Sequence, residues 1–434
     1  MGSSYDSRVD GAVRSPLTGI VRDCLELALD PGESRVFCVI AEATHPERFH
    51  PGASPCARYG CGVGLTLERA TQAAVGEVLE RYCASIYDPG LLVHARFEEL
   101  GEAAVAPERF ALFSAQQYAA FANRAMPRPF SRATRTGWVH GFNLMTSSPV
   151  LLPAAFVYLP YRYRDGETFI SDSFSTGLAC ARSRDEATLS ALCEVVERDA
   201  LAIIWHGRLS LPALRVECDQ RLSCAGVRSE ILDATLDIRI PTVIAHLDID
   251  RGGSTILTSA THPQRAVAAH KAMLEAIQCR ISWRRELIHG TRRQYADDFA
   301  DITRFSEHAE LYTLHAMRLH VEFLWNGGED VGAESGSESV DWPEDTPACT
   351  LQRCLGAVRD AGFEAIAIDV TTDDVREAGY WVVRVIVPGL QPLHARQDAP
   401  FLGGARLRHV AHALGRRARP LDESELNRFV HPFP

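Results

Sequence analysis

Two segments, "AAVGEVLERYCA" at 73–84 and "SALCEVVERDAL" at 190–201, place the pattern E-x-x-E-R inside apolar runs with helical spacing. Positions i and i+3 share a helix face, so Glu77 with Glu80, and Glu194 with Glu197, each converge on one point. Carboxylates buried side by side repel and resist ionisation unless cations neutralise them. Arg81 and Arg198 follow about 100° further round each helix and answer that cost only in part. A single copy would suit an ordinary solvated helix face. Two copies in apolar context need a common purpose.

A third run, "RAVAAHKAMLEAIQCRISWRREL", aligns with them: Glu275 falls with Glu77 and Glu194, Gln278 with Glu80 and Glu197, and Arg280 close behind. The spacings, 77 to 194 and 194 to 275, are too long for a short solenoid repeat. They suit strand-plus-helix units of one domain whose helices meet at a shared site. The first helix is predicted over 66–86, with Thr66 as N-cap and Arg69 at the capping-box position usually taken by Glu or Gln. "YGCGVG" (59–64) before it reads as a glycine-rich turn. The second helix is predicted over 184–206, after "STGLAC". "VLLPAAFVYLPY", "TVIAHLDID" and "STILTSA" have strand character. Residues 346–420 read as an α/β part, so the class is mixed α/β.

Carboxylates that ionise inside a protein usually hold hard divalent metals. Magnesium prefers a few of them together with waters and substrate phosphates. Arginines nearby grip phosphate oxygens bidentately. Lys271 is the only lysine in the chain, which excludes a P-loop of the G-x-x-x-x-G-K-[ST] type and disfavours Schiff-base chemistry. The pattern alone therefore indicates a magnesium–nucleotide enzyme without a P-loop.

Other features bound the setting. The net charge of −11 argues against a general nucleic-acid binder. No stretch reaches the roughly 18 apolar residues of a membrane span, and the polar start "MGSSYDSRVDG" lacks a signal-peptide pattern. A cytoplasmic protein is expected. The twelve cysteines contain no C-x-x-C pair, so they indicate neither structural zinc nor a redox motif, and they read as small packing residues. Residues 1–14 and the acidic stretch 326–345, with seven acids and no base, read as disordered. The chain ends in a proline-containing tail, 428–434.

The segments "AAVGEVLERYCA", "STGLACARSRDEATLSALCEVVERDAL", "EAIQCR", "WVVRVIVPGLQPL" and "HPFP" together resemble the YcaO family, over nearly the whole of 15–434. The resemblance implies a YcaO-like fold around a central Mg-ATP site, a homodimer, and an azoline-forming cyclodehydratase acting on a ribosomal precursor peptide. It implies magnesium binding by Glu77, Glu80, Glu186, Glu194 and Glu197. Nucleotide contacts fall to Arg81, Arg198 and Arg280, with Glu275 and Gln278 in the same third motif. "SPLTG" adds Ser15 and Thr18. Pro434, through a terminal carboxylate, and His431 are the candidates for general base by position, with a plain surface role the alternative for His431. Four positions depart from the family pattern: Ala74 stands for serine, Cys61 for lysine, Arg182 for a small polar residue, and Val430 for the first proline of the tail. Leader-peptide recognition is expected in a separate E1-like or leader-binding partner. Thioamide or macrocyclic amidine formation uses the same ATP site and is the runner-up, and a non-catalytic scaffold is the reading from a different class.

Overall fold

The computed structural model describes residues 13–48, 50, 57–122, 124–249, 254–289, 293–326, 342 and 345–434, without the side chains of 48 and 285–289. Residues 1–12 and most of the acidic stretch lie outside that set. Val13 is fully buried and Arg14 bridges Val21, so the expected disorder does not extend to 13–14.

"YGCGVG" is a strand, not a turn. Strands β1 (Val21–Glu26), β2 (Phe37–Ala43) and β3 (Tyr59–Gly64) form an antiparallel sheet in the order β1-β2-β3. Helix α1 (Leu67–Ala84) lies directly on it. A Cβ at Gly60 or Gly62 would collide with the α1 carbonyls of Ala74 or Ala70, and one at Gly64 with the Ala70 amide. The alternate glycines thus bare one strand face so that helix backbone can approach it. On the helix side Ala70 and Ala74 are fully buried, so Ala74 in the serine position serves packing. Thr66 caps α1 as predicted, its side chain accepting from the Arg69 amide.

A second antiparallel sheet comprises β8 (Ala213–Leu214), β9 (Val227–Asp233), β10 (Thr242–Ile249) and β11 (Ser254–Thr261) in the order β11-β10-β9-β8. The third holds β4 (Val93–Arg96), β5 (Arg135–Asn143), β6 (Ser148–Pro153), β7 (Leu178–Ala181), β12 (Ile366–Asp369) and β13 (Trp381–Ile386). Its order is β4-β5-β12-β13-β7, with β6 also on β5. Of "VLLPAAFVYLPY" only the first four residues are strand; Ala154–Phe156 turn as a 3-10 helix after Pro153, which supplies no amide to a ladder.

Helix α2 (Arg184–Gly207) is capped by Ser183, which accepts from the Glu186 amide, and stops where Arg208 turns left-handed at φ 49°. From Ala191 onward nearly every α2 residue is buried, because the helix runs between layers. It packs on β13, β7 and β11, on α5 (Pro347–Asp360) and on α6 (Arg406–Ala413). Helix α3 (Arg265–His289) covers β10 and β11. Strand β10 turns Val243, Ala245 and Leu247 towards Ala268, Ala272 and Ala276 of α3, while on its other face Ile244, between Thr242 and His246, joins the α2 core. Each of α1, α2 and α3 follows a strand directly. The class is mixed α/β, with strand-plus-helix units whose helices meet, as the glutamate spacing requires.

The C-terminal tail is part of this core. Val430 and Phe433 are fully buried among Leu201, Trp205 and Tyr312, and burying such a phenylalanine contributes about 2 kcal/mol. Trp205 Nε1–H donates to Phe429 O at 2.9 Å, and the Tyr312 hydroxyl donates to Val430 O.

Candidate active site

Helices α1, α2 and α3 bring Glu77 and Arg81, Glu194 and Arg198, and Glu275 and Gln278 to one cavity of about 710 Å³. Pro434 closes one side, with Phe305 of the short helix α4 (Phe305–Leu311) beside it. Residues 173–176 form another wall.

Each first glutamate is held from two sides. Glu77 Oε2 accepts from the Cys61 amide at 2.8 Å, and Glu77 Oε1 lies 3.8 Å from Arg81 Nη2. Glu194 Oε2 accepts from the Gly177 amide at 3.0 Å, and its Oε1 lies 3.8 Å from Arg198 Nε. The arginine of each motif therefore pairs with the first glutamate at i+4, a geometry that a count from the nearer glutamate misses. Cys61 supplies a backbone donor, so the family lysine missing there does not leave Glu77 without a partner.

Each second glutamate faces the surrounding protein. Glu80 accepts from the Cys180 amide at 2.8 Å on β7. Glu197 accepts from Ser259 Oγ at 2.7 Å and from the Thr261 amide at 3.0 Å on β11. These two carboxylates tie α1 and α2 to neighbouring sheets behind the cavity. Glu186 sits in the first turn of α2, away from the cavity lining.

Electrostatics mark the cavity. Burial pushes Glu80 up to about 8, against the help of Arg81. Burial, with repulsion from Glu197, pushes Glu275 up to about 8 as well. Glu194 is raised by burial despite Arg198. Burial pulls Arg198 down, but Glu197, Glu194 and Glu275 outweigh it and hold the guanidinium firmly protonated. Burial thus disfavours ionisation of this set, and a cation entering the cavity would favour it. Among the described residues no three acidic, histidine or cysteine side chains form a ready metal cage.

Besides Glu80, Glu186 and Glu197, four more expected site residues lie outside the cavity lining. Ser15 and Thr18 form a small turn in which Ser15 Oγ accepts from the Thr18 amide at 3.3 Å, and neither lines the cavity. Arg280 points to the other side of α3, where it pairs with the buried Glu33 beside Arg284. Two residues beyond Gln278 is about 200° round a helix, so a shared motif does not give a shared face. His431 is not a surface residue, and it does not line the cavity. It is fully buried and stacked on His308 with centroids 3.9 Å apart. Its Nε2 lies 2.7 Å from His394 O and its Nδ1 accepts from the Phe433 amide at 3.3 Å, partners that fix a neutral tautomer. Burial and the neighbouring histidines hold it well below the usual imidazole range. Pro434 alone of the two base candidates reaches the cavity, its oxygen accepting from Arg198 Nη1 at 2.8 Å.

The wall at 173–176, and Arg304, Phe305 and Ser306, have no periodic or charge pattern that would single them out in sequence. Arg182, the exposed departure, stacks over Tyr380 at 3.6 Å.

The chain matches the family profile for YcaO cyclodehydratase, ATP- and Mg2+-binding, over residues 61–391, more than half its length. The chain belongs to the YcaO family. ATP and Mg2+ are the cofactors, and the hard-oxygen donors and arginines of this YcaO site fit them. An uncharacterised protein of Methanothermobacter thermautotrophicus is 27% identical over 380 residues, 81% of this chain and 89% of that one. A heterocyclase solved in complex with substrate and cofactor superposes with a TM-score of 0.77 at 23% identity, over 97% of this chain and 56% of that one. YcaO from Methanopyrus kandleri, bound with AMPPCP and Mg2+, gives a TM-score of 0.58 at 20% identity and 86% coverage of both chains. The two structural likenesses carry the fold. The chain spans about half the length of that heterocyclase. None of the described helices is long and apolar enough to cross a membrane.

Proposed function

We propose that this YcaO protein is an ATP-dependent cyclodehydratase that forms azolines in a ribosomal precursor peptide. A Cys, Ser or Thr side chain adds to the preceding backbone carbonyl. Phosphorylation of the resulting oxygen by ATP turns a very poor leaving group into phosphate, so one water is lost from the peptide while ATP becomes ADP and phosphate. The observation that carries the reading is the convergence of Glu77, Glu194 and Glu275 with Arg81 and Arg198 on a cavity closed by Pro434.

In this reading Glu77 and Glu194, held by the Cys61 and Gly177 amides, are the ligands that face magnesium. Glu80 and Glu197 brace them from behind, with Glu186 further out. Arg81, Arg198 and Gln278 grip phosphate oxygens. Ser15, Thr18 and Arg280 stay outside the site in a single chain. Pro434, held by Arg198, stands where the proton of the attacking side chain must go. A separate leader-binding partner delivers the peptide, and the protein works as a homodimer.

The test is incubation of candidate precursor peptide and partner with ATP and magnesium, followed by mass spectrometry. Loss of one water per Cys, Ser or Thr, with matching ADP release, is expected. Exchange of one oxygen for sulfur would instead establish thioamide formation, and water loss that blocks the peptide N-terminus would establish an amidine ring. Peptide unchanged in the presence of partner, with no ADP formed, would leave a scaffold.

A further inference from the structure

The apolar strand β13, "WVVRVI", carries one charge in its middle. Arg384 is fully buried and donates only to backbone carbonyls: Nε and Nη2 to Phe156 O at 3.0 and 2.8 Å, Nη1 to Ser175 O at 2.6 Å, and Nη2 to Phe174 O at 2.5 Å. Among the described residues no carboxylate forms an ion pair with it. A guanidinium held this way is costly unless its fork does something that an apolar residue could not.

What it holds is the cavity wall. Phe174 and Ser175 line the cavity, and the next residue but one, Gly177, presents its amide to Glu194 Oε2. Gly177 is left-handed at φ 82°, and a Cβ there would collide with Val385 O. Its own carbonyl accepts from the Val385 amide at 2.7 Å. The segment 174–177 is thus clamped between Arg384 and Val385 on one strand and Glu194 on α2. Burial pulls the Arg384 guanidinium down to about 10, with Arg81 adding to the effect, and Glu194 opposes the shift.

We infer that Arg384 is a positioning residue for the nucleotide site: its forked donors fix the 174–177 wall so that the Gly177 amide aims Glu194 into the cavity. The inference rests on the reading of the cavity as the Mg-ATP site. Lysine keeps the charge but offers no planar fork, so charge and geometry can be separated.

The test uses the full chain and three variants, Arg384→Lys, Arg384→Met and, as a control, Leu355→Ala in the core beneath α5. Calorimetric titration with magnesium and AMPPCP is run beside thermal unfolding and amide hydrogen exchange at Gly177 and Leu178. Residues that orient metal ligands from behind typically change affinity by about 10–100-fold when replaced. Arg384→Met is expected to weaken magnesium–AMPPCP binding at least about tenfold. Arg384→Lys is expected to weaken it several-fold and to speed exchange at Gly177. Leu355→Ala is expected to lower the unfolding temperature with affinity unchanged. Should Arg384→Met fail to fold, Arg384→Lys decides alone. Wild-type affinity and wild-type exchange at Gly177 in Arg384→Lys would overturn the inference. Absence of binding in the wild type would instead strike the nucleotide reading, and the exchange result would then decide the role of Arg384 by itself.

Discussion

Two clusters of titratable groups adjoin the C-terminal tail. In the cavity Glu77, Glu194 and Glu275 aim into open space with two arginines for five nearby carboxylates. Beneath the tail His206, His308, His394 and His431 stack on one another, and each has a ring nitrogen against a carbonyl or amide oxygen. Burial lowers all four histidines, so they pack as neutral rings. The difference is in what each cluster can do. Carboxyls that burial keeps from ionising retain the capacity to take a cation, whereas the histidines pack as neutral rings, and His431 holds the Phe433 amide through its Nδ1.

The largest separation of the two should come from single substitutions. Glu77→Gln or Glu194→Gln should weaken magnesium-dependent nucleotide binding more than about hundredfold, equivalent to losing about 3 kcal/mol. His308→Gln should lower thermal stability and leave that affinity unchanged, as calorimetry on the folded fraction would reveal. Equal loss of affinity in both would erase the distinction.

Removing Pro434 should come next. Arg198 loses an acceptor and the cavity loses one wall, so turnover with peptide should fall about 10–100-fold while AMPPCP binding changes little. Single-turnover ADP release checks it. Loss of nucleotide binding instead would place the tail in the phosphate site.

Charge state offers a smaller and oppositely signed pair of effects. Glu80 and Glu275 keep protons up to about 8 in the folded protein, against an ordinary 4.5, so the native state binds more protons than the unfolded chain across that window. Their contribution to metal-free stability is present below 4.5 and declines as pH rises from 4.5 to 8. His206 and His308 stay neutral down to about 4 when folded but protonate near 6.5 when unfolded. Their contribution is present above 6.5 and declines as pH falls from 6.5 to 4. Each group changes stability by up to about 1.4 kcal/mol per pH unit within its window. The two slopes offset each other between pH 4.5 and 6.5, so denaturant unfolding without metal or nucleotide should show a plateau there, with stability falling from 6.5 towards 8 and from 4.5 towards 4. Glu275→Gln should flatten the alkaline side and His206→Gln the acid side.

The smallest effects are expected at residues drawn into the site by motif alone. Ser15→Ala, Thr18→Ala and Arg280→Met should leave AMPPCP affinity within about threefold, since none of the three lines the cavity. Arg280→Met should still cost stability, because Glu33 loses one of its two arginines. A tenfold drop in affinity for any of them would show that the site is completed by a second chain.

Helical spacing and the recurrence of E-x-x-E-R were enough to indicate three helices meeting at one site, because i and i+3 geometry is local. Local spacing does not say which of two glutamates faces a cavity and which a neighbouring sheet. That depends on β7 and β11, brought in from elsewhere in the chain. The strand "YGCGVG" was misjudged because glycine usually marks turns, and only contact with Ala70 and Ala74 reveals why glycine is needed there. His431 looked exposed because a proline-rich terminus suggests no core of its own, yet α2 and α4 supply one. Arg384, a charge inside an apolar strand, was a visible signal whose partners are carbonyls far away in sequence.

The central claim is that Glu77 and Glu194 face magnesium and nucleotide together. It is tested most directly by calorimetric titration of AMPPCP with and without magnesium, into the wild-type protein and into Glu194→Gln. Magnesium-dependent binding in the wild type that disappears in the variant is the predicted result. Binding of equal strength in both would contradict the assignment of Glu194.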